Sequence, residues 1–233
     1  MHYNALIVHL NIHAGMTNVK NKSKDVITDE EVDRMLTKAD TLPTTFFQLR
    51  AKATLALLET GKRRSEIAAL EKADITSDSQ YLYVRFTVVK KRKKNLRSLQ
   101  RVKKFDKKSK WAGHILAYLE FLANKYPDTK FVFPRGCALF GKGYYLIVPE
   151  KRATGQEIWR IVKSLNPDDW PHQHRERRAV KVIRADEQKY GEAKLETVYR
   201  VKNVLDLERE TTAYNYIRRF ETQRAEEEDE TIA

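Results

Sequence analysis

One nine-residue run, Tyr81-Leu-Tyr-Val-Arg-Phe-Thr-Val-Val89, stands apart from the rest of the chain. Aromatic and β-branched residues fill it, which is the composition of a strand. Lys90-Lys-Arg-Lys-Lys-Asn95 follows as a turn, and Arg101–Phe105 reads as a returning strand. Most segments on either side carry apolar residues at helical spacing. The pattern predicts an α+β, mainly α-helical domain with a small antiparallel β-hairpin at one edge.

The helices can be placed from their ends. Thr28-Asp-Glu-Glu31 has capping-box spacing, and Val32, Met35, Leu36 and Ala39 continue it as an apolar stripe. Pro43 interrupts, and a second helix is expected from Thr45 to Glu59, with Gly61 as its C′ residue. A third begins around Arg63-Arg64-Ser65-Glu66, and Asp74-Ile75 closes that unit. Trp111–Tyr126 and Gln156–Leu165 read as amphipathic helices, and Phe131–Pro134 as a short buried piece. Residues 135–153 read as a loop without a GxGxxG or Walker pattern, so no nucleotide cofactor is expected. Ala179–Ile183 reads as the start of a helix and Ala193–Leu207 as more helix. Residues 1–25 are expected to form an arm, 26–220 the domain, and 221–233 a disordered acidic tail containing Glu226–Glu230.

Charge narrows the partner. The formal net charge is +13 over 233 residues, and lysine and arginine fill half of residues 85–110. That balance favours a polyanion, and Lys91, Arg92, Lys93 and Lys94 at a hairpin turn suit a DNA backbone. The rival reading is an edge hairpin protected by lysines. The chain has no apolar run long enough to span a bilayer. The single cysteine, Cys137, excludes an internal disulfide and a cysteine-rich zinc site, and an intracellular location is expected. His2, His9 and His13 lack acidic or cysteine partners at ligand spacing, so no metal site is expected.

The densest chemistry lies in Trp170–Ile183, where His172, His174, Arg175, Arg177 and Arg178 fall within seven residues. Arginine forks hold two oxygens of one phosphate, and an imidazole moves protons near neutral pH. A solvated basic helix face is the plain alternative. Two other segments bear on that choice. Thr60-Gly-Lys-Arg-Arg-Ser-Glu-Ile67 lies upstream, and Leu205–Tyr216 lies downstream, with Thr212 four residues before Tyr216.

In order and spacing these three segments resemble the tyrosine recombinase, or phage integrase, family over roughly residues 26–220. Its members carry T-G-x-R-x-S-E-[LI], then P-H-x-L-R-H-x-F-A-x-x-L-L, then L-G-H-x-x-x-x-T-x-x-x-Y. The resemblance implies that Arg63 and Arg175 are the two catalytic arginines, Glu66 the partner of the first, His172 the box histidine and Tyr216 the nucleophile. It places the hairpin lysine at Lys90, with Lys91 and Lys93 as alternatives. Tyr214 is the alternative nucleophile, and a shifted register would pair His174 with Arg177.

This chain departs from the pattern at three places. Glu176 stands where the family has a histidine after the second arginine, and His174 stands where it has leucine. Asp206-Leu207 replaces the glycine-histidine pair, so the group that usually supports the scissile phosphate is missing. His174 and Arg178 are the candidates to replace it. Family members also place a helical DNA-clamping domain ahead of the catalytic one, where residues 1–25 stand here. This suggests a minimal recombinase, an isolated catalytic domain or a shortened remnant, each expected to bind its site weakly alone.

The resemblance implies a metal- and ATP-independent transesterification of double-stranded DNA. A tyrosine attacks phosphorus, a 3′-phosphotyrosine forms, and another strand's 5′-hydroxyl resolves it. It also implies a homo-oligomer, a synaptic tetramer on DNA, and a mobile element such as a virus or plasmid as the source. The alternative is a catalytically impaired recombinase-fold protein that binds DNA and regulates recombination.

Overall fold

The computed structural model describes residues 26–89, 98–138 and 145–232. The expectations for residues 1–25 and for Lys90, Lys91, Arg92, Lys93 and Lys94 lie outside the described residues.

α1 (Asp29–Ala39) starts with the capping box read from the sequence: Thr28 Oγ1 accepts the Glu31 N–H, and Glu31 Oε2 accepts the Thr28 N–H at 2.7 Å. Such a cap is worth about 1 kcal/mol. α1 buries Val32, Met35, Leu36 and Ala39 against α2 (Thr45–Leu58). α2 is buried on almost every side, and α4 (Lys110–Lys125) packs along it. α2 ends one residue earlier than expected, capped at Glu59, and its last turn tightens through i→i+3 bonds. Gly61 therefore lies one position beyond C′, at φ +74°.

α3 (Arg64–Ala68) follows at once, then a 3₁₀ turn over Lys72–Asp74. A three-stranded antiparallel sheet comes next, in the order β1 (Ile75–Ser77), β2 (Tyr81–Val89), β3 (Ser98–Asp106). The first residue of β1, Ile75, is the one that with Asp74 closes the helical unit in the sequence. Three residues, none of them buried, are too few to show a period of two. β2 and β3 pair from Tyr81↔Asp106 to Val89↔Ser98. Arg101 and Lys103 thus lie opposite the buried Phe86 and Val84, on the sheet face turned toward the protein.

Residues 135–153 are not a plain loop. They contain most of an antiparallel pair, β4 (Pro134–Ala138) with β5 (Tyr145–Arg152). Proline and glycine hide β4 in the sequence, and its order comes from tertiary bonds. The buried Arg50 donates to Pro134 O at 3.2 Å and to Gly136 O at 3.5 Å. Glu157 of α5 (Gly155–Leu165) stands 3.7 Å from the same guanidinium.

α6 (Pro171–Tyr190) begins eight residues before the expected start at Ala179, so the whole histidine–arginine segment is helical. Pro171 at the first helical position needs no N–H partner there, and Gln173 Oε1 accepts the Trp170 N–H at 3.0 Å. α7 (Leu195–Val204) and α8 (Glu210–Ile232) complete the chain. Residues 221–232 of the tail expected to be disordered continue α8.

Two apolar clusters result. One joins α1 to α5 with the inner face of β2. The other joins the second half of α6 to α7 and α8. Among the described residues, no helix is long and apolar enough to cross a membrane.

Candidate active site

A cleft of about 340 Å³ opens beside α3, α5 and the start of α6, lined by Lys62, Arg63, Arg64, Ser65, Trp159, Trp170, Pro171, His172 and Arg175. Residues 62–65 and 170–175 are far apart in sequence, and the packing of α3 and α6 onto α5 brings them together.

Arg63 is the N-cap of α3. Glu66, one turn on and buried, accepts the Arg63 N–H through Oε2 and its Nη1 through Oε1, both at 2.9 Å. The carboxylate aims the guanidinium while leaving the Arg63 side chain 48 % exposed to the cleft. Arg175, in the first turns of α6, is buried and forks between two carbonyls, Gly61 O and Leu205 O. Its pKa is lowered by burial and by the Arg63 charge, while Tyr216 and Glu66 oppose that shift, Tyr216 also through a side-chain hydrogen bond. Two cationic forks thus share one cleft, an arrangement that favours an anion with several oxygens.

His172 lies beside them, its Nε2 3.5 Å from Glu176 Oε1. Desolvation in the cleft lowers its pKa; Glu176 pulls it up, and Arg175, Arg219 and Arg63 push it down, with a net shift below the ordinary imidazole value. It is therefore neutral near pH 7 and able to accept a proton. Glu176 also accepts from Arg219 Nη1 at 2.9 Å, which ties the start of α6 to α8.

Tyr216 is half-buried against the second cluster and meets Arg175. Tyr214 sits about 200° around α8 from it. It is exposed and lines a separate groove with Leu195, Val198 and Ile217.

His174 and Arg177 face away from the cleft. His174 is fully buried, with Nε2 2.8 Å from Asp169 and Nδ1 3.7 Å from Glu59. Arg177 is paired with Glu59 and Asp29. Arg178 is half-buried beside Gly61, and its Nε is buried without a hydrogen-bond partner.

The sequence reading passed over four cations. Lys62 is paired with Asp206, Arg101 Nε lies 3.0 Å from the same carboxylate, Lys103 Nζ donates to Val204 O at 2.8 Å, and Arg219 holds Glu176. Burial pushes Lys103 down to about 8, with Asp206 opposing and Lys62, Arg178 and Arg175 adding to the fall. The signal for Arg101 and Lys103 was their alternation on β3, masked by the basic residues around them.

The phage integrase family model matches residues 25–186, most of the chain. Among solved structures, the chain is similar to the XerH site-specific recombinase bound to palindromic difH substrate in a post-cleavage complex. That match has a TM-score of 0.60 and 20% identity, covering 97% of this chain and 58% of that one. It is similar to the Tn1549 transposon integrase in complex with transposon right end DNA, with a TM-score of 0.53, 16% identity and coverage of 91% and 68%. It is also similar to a lambda integrase dimer bound to a COC′ core site, with a TM-score of 0.50, 13% identity and coverage of 84% and 60%. The chain thus spans little more than half the length of the XerH recombinase. No curated protein sequence matches it. The similar structures speak for the fold, and the family match covers the first arginine box and the histidine–arginine helix: this chain belongs to the phage integrase family, the tyrosine recombinases.

Proposed function

We propose that the chain cuts and rejoins double-stranded DNA at specific sites through a 3′-phosphotyrosine intermediate. One observation carries this reading. Tyr216 meets the buried guanidinium of Arg175, which shares a cleft with Arg63 and the neutral His172. A basic surface helix face would not gather a histidine and two arginines around one opening and set a tyrosine of α8 against one of those arginines.

The chemistry would run as the resemblance implies. The Tyr216 oxygen attacks phosphorus and forms the O–P bond, and the bond from phosphorus to the 5′-oxygen breaks. His172 takes the phenol proton. Arg63 and Arg175 hold the non-bridging oxygens, where negative charge gathers in the transition state. Glu66 keeps Arg63 aimed. A hairpin lysine, Lys90 by resemblance, gives a proton to the leaving 5′-oxygen. The new ester keeps the bond energy, so a second 5′-hydroxyl can reverse the step without ATP.

His174 and Arg178 remain the two candidates for the work done in the family by the residue at Leu207. Burial of His174 between two carboxylates supports Arg178 over it. The hairpin residues Lys91, Arg92, Lys93 and Lys94 would track the phosphate backbone. The net charge of +13 supports a DNA partner, and the working form would be a tetramer on DNA inside a cell.

The test is a nicked, suicide-type duplex carrying a candidate site from the flanking genome, with the covalent adduct read on a denaturing gel. An adduct lost in Tyr216→Phe and kept in Tyr214→Phe is expected. Loss in Tyr214→Phe alone would move the nucleophile. Salt-sensitive binding without any adduct would leave a DNA-binding regulator instead.

A further inference from the structure

Two dipeptides 144 residues apart face each other beneath the cleft, Gly61-Lys62 before Arg63 and Leu205-Asp206 before α8. They are joined twice. The Arg175 fork bridges the carbonyls of Gly61 and Leu205, and Lys62 and Asp206 form an ion pair. They also touch: a Cβ on Gly61 would stand 2.6 Å from Leu205 Cδ2.

The ion pair is unusual in three respects. Lys62 is 1 % exposed, with its ammonium 5.1 Å from the Phe86 ring centroid, so it has lost its water. Asp206 holds φ +52°, a conformation that residues with a Cβ seldom adopt, and among the described non-glycine residues it is alone in doing so. Asp206 also stands where the family pattern has glycine. The chain therefore keeps the backbone shape that a glycine would give, and adds a carboxylate that meets the buried ammonium.

Further cations hold the same turn. Arg101 of β3 reaches Asp206 Oδ1 at 3.0 Å, and Lys103 of β3 donates to Val204 O at 2.8 Å. Beyond the turn, Lys202 Nζ pairs with Glu210 at 2.8 Å, at the first residue of α8. The sheet, the Arg63 loop and α6 thus converge on the residues that set the direction of the helix bearing Tyr216.

We propose that Lys62 and Asp206 are a pair of positioning residues that dock the nucleophile helix on the arginine cradle before DNA arrives. The inference rests on Tyr216 and Arg175 acting as described under Proposed function. A buried ion pair adds little net stability compared with apolar side chains of the same size, so specifying one geometry is its better use. Here the residue after Lys62 is Arg63, and the helix after Asp206 carries Tyr216. A shift between the two dipeptides would change the approach of the phenol to phosphorus. Misplacement on the scale of 1 Å is enough to slow a reaction by about a hundredfold.

The experiment compares the full chain with Asp206→Asn, Lys62→Met, and the double variants Lys62→Met/Asp206→Asn and Lys62→Met/Asp206→Gly. Single-turnover adduct formation on saturating suicide duplex gives the rate, and a binding titration gives the affinity. Each single change is expected to slow the rate by about ten- to a hundredfold while affinity moves less than about threefold. Lys62→Met/Asp206→Gly, which removes both charges and leaves a glycine at the turn, is expected to recover most of the rate. Rate losses that simply multiply in the doubles, or an effect on affinity alone, would overturn the proposal. Amide hydrogen exchange over residues 204–207 separates this idea from the recombinase reading. If the unaltered protein forms no adduct, faster exchange in Asp206→Asn would still support the clamp, and unchanged exchange would overturn it. If a single variant fails to fold, the double variants carry the rate comparison.

Discussion

His174 Nε2 lies 2.8 Å from Asp169 Oδ2, with both side chains sealed from solvent. Glu59 stands on the other side of the ring. Burial by itself would lower the pKa of this imidazole. The hydrogen bond to Asp169 and the nearby carboxylates of Asp169 and Glu59 outweigh burial and raise it to about 9. His174 is thus a charged strut between α6 and the end of α2.

The first prediction concerns pH and stability. The folded chain keeps the His174 proton up to about pH 9, whereas the unfolded chain releases it near the ordinary imidazole value of about 6.5. The stabilisation is complete below about pH 6.5 and is lost as the pH rises to 9, amounting to up to about 3 kcal/mol. Urea unfolding between pH 6 and 9.5 should show this fall. In His174→Gln the curve should be lower at pH 6 and flatter. An equal slope in that variant would assign the proton elsewhere.

The second prediction concerns the rate. Desolvation and the surrounding arginines outweigh Glu176 and keep the His172 pKa low, so the base is already neutral at pH 7. The rate of adduct formation should rise through a midpoint below 6.5 and then level off. In Glu176→Gln the midpoint should move lower still, because the carboxylate that favours the imidazolium is gone. A wild-type midpoint above 7 would remove His172 from the role of base.

How far these residues could be read from the chain depended on how local their causes are. The α1 cap was legible because Thr28 and Glu31 satisfy each other within one turn. The Arg63 and His172 boxes were legible as spacing. The helical start at Pro171 was not, because α6 buries His174, Arg175 and Arg177 where the apolar period requires hydrophobic residues. Only Asp169, five residues before His174, is near in sequence; Glu59, Asp29 and the two carbonyls that hold the arginines lie far outside any local window. The same holds for Lys62. Its position in T-G-x-R carries no signal until Asp206 is placed against it in space. The β4 strand is a similar case, since Arg50 supplies the order that its own residues lack.

The third prediction separates the two arginine registers. Arg177 is buried and bound to Glu59 and Asp29, whereas Arg175 lines the cleft. Removing the Arg177 charge leaves the nearly buried Glu59, among the described residues, with only Lys181 and His174 at 3.7 Å. Arg177→Met should cost about 3 kcal/mol in denaturant unfolding and leave the cleavage rate of the folded fraction within about threefold. Arg175→Lys should do the reverse. It should abolish adduct formation, because a single ammonium cannot span Gly61 O, Leu205 O and a phosphate together.

The fourth prediction uses two glycines that share a backbone conformation but not a neighbourhood. Gly61 has φ +74° and Gly191 has φ +81°, so alanine is strained at both, by about 1–2 kcal/mol. At Gly191 the added methyl meets nothing within 4 Å, and the strain is the whole cost. At Gly61 it would stand 2.6 Å from Leu205 Cδ2 and 3.2 Å from Arg178 Cγ, which adds an overpacking cost of about 1–3 kcal/mol. Gly61→Ala should therefore be less stable than Gly191→Ala by that margin in parallel urea titrations. The excess measures how tightly the Arg63 loop seats on the turn before α8. Because Leu205 O is also bound by Arg175, relief of the clash by moving Leu205 would disturb that fork. Gly61→Ala should then lose adduct formation by more than tenfold while Gly191→Ala keeps it. Equal stability losses in the two variants would mean that the two segments are not in contact in solution.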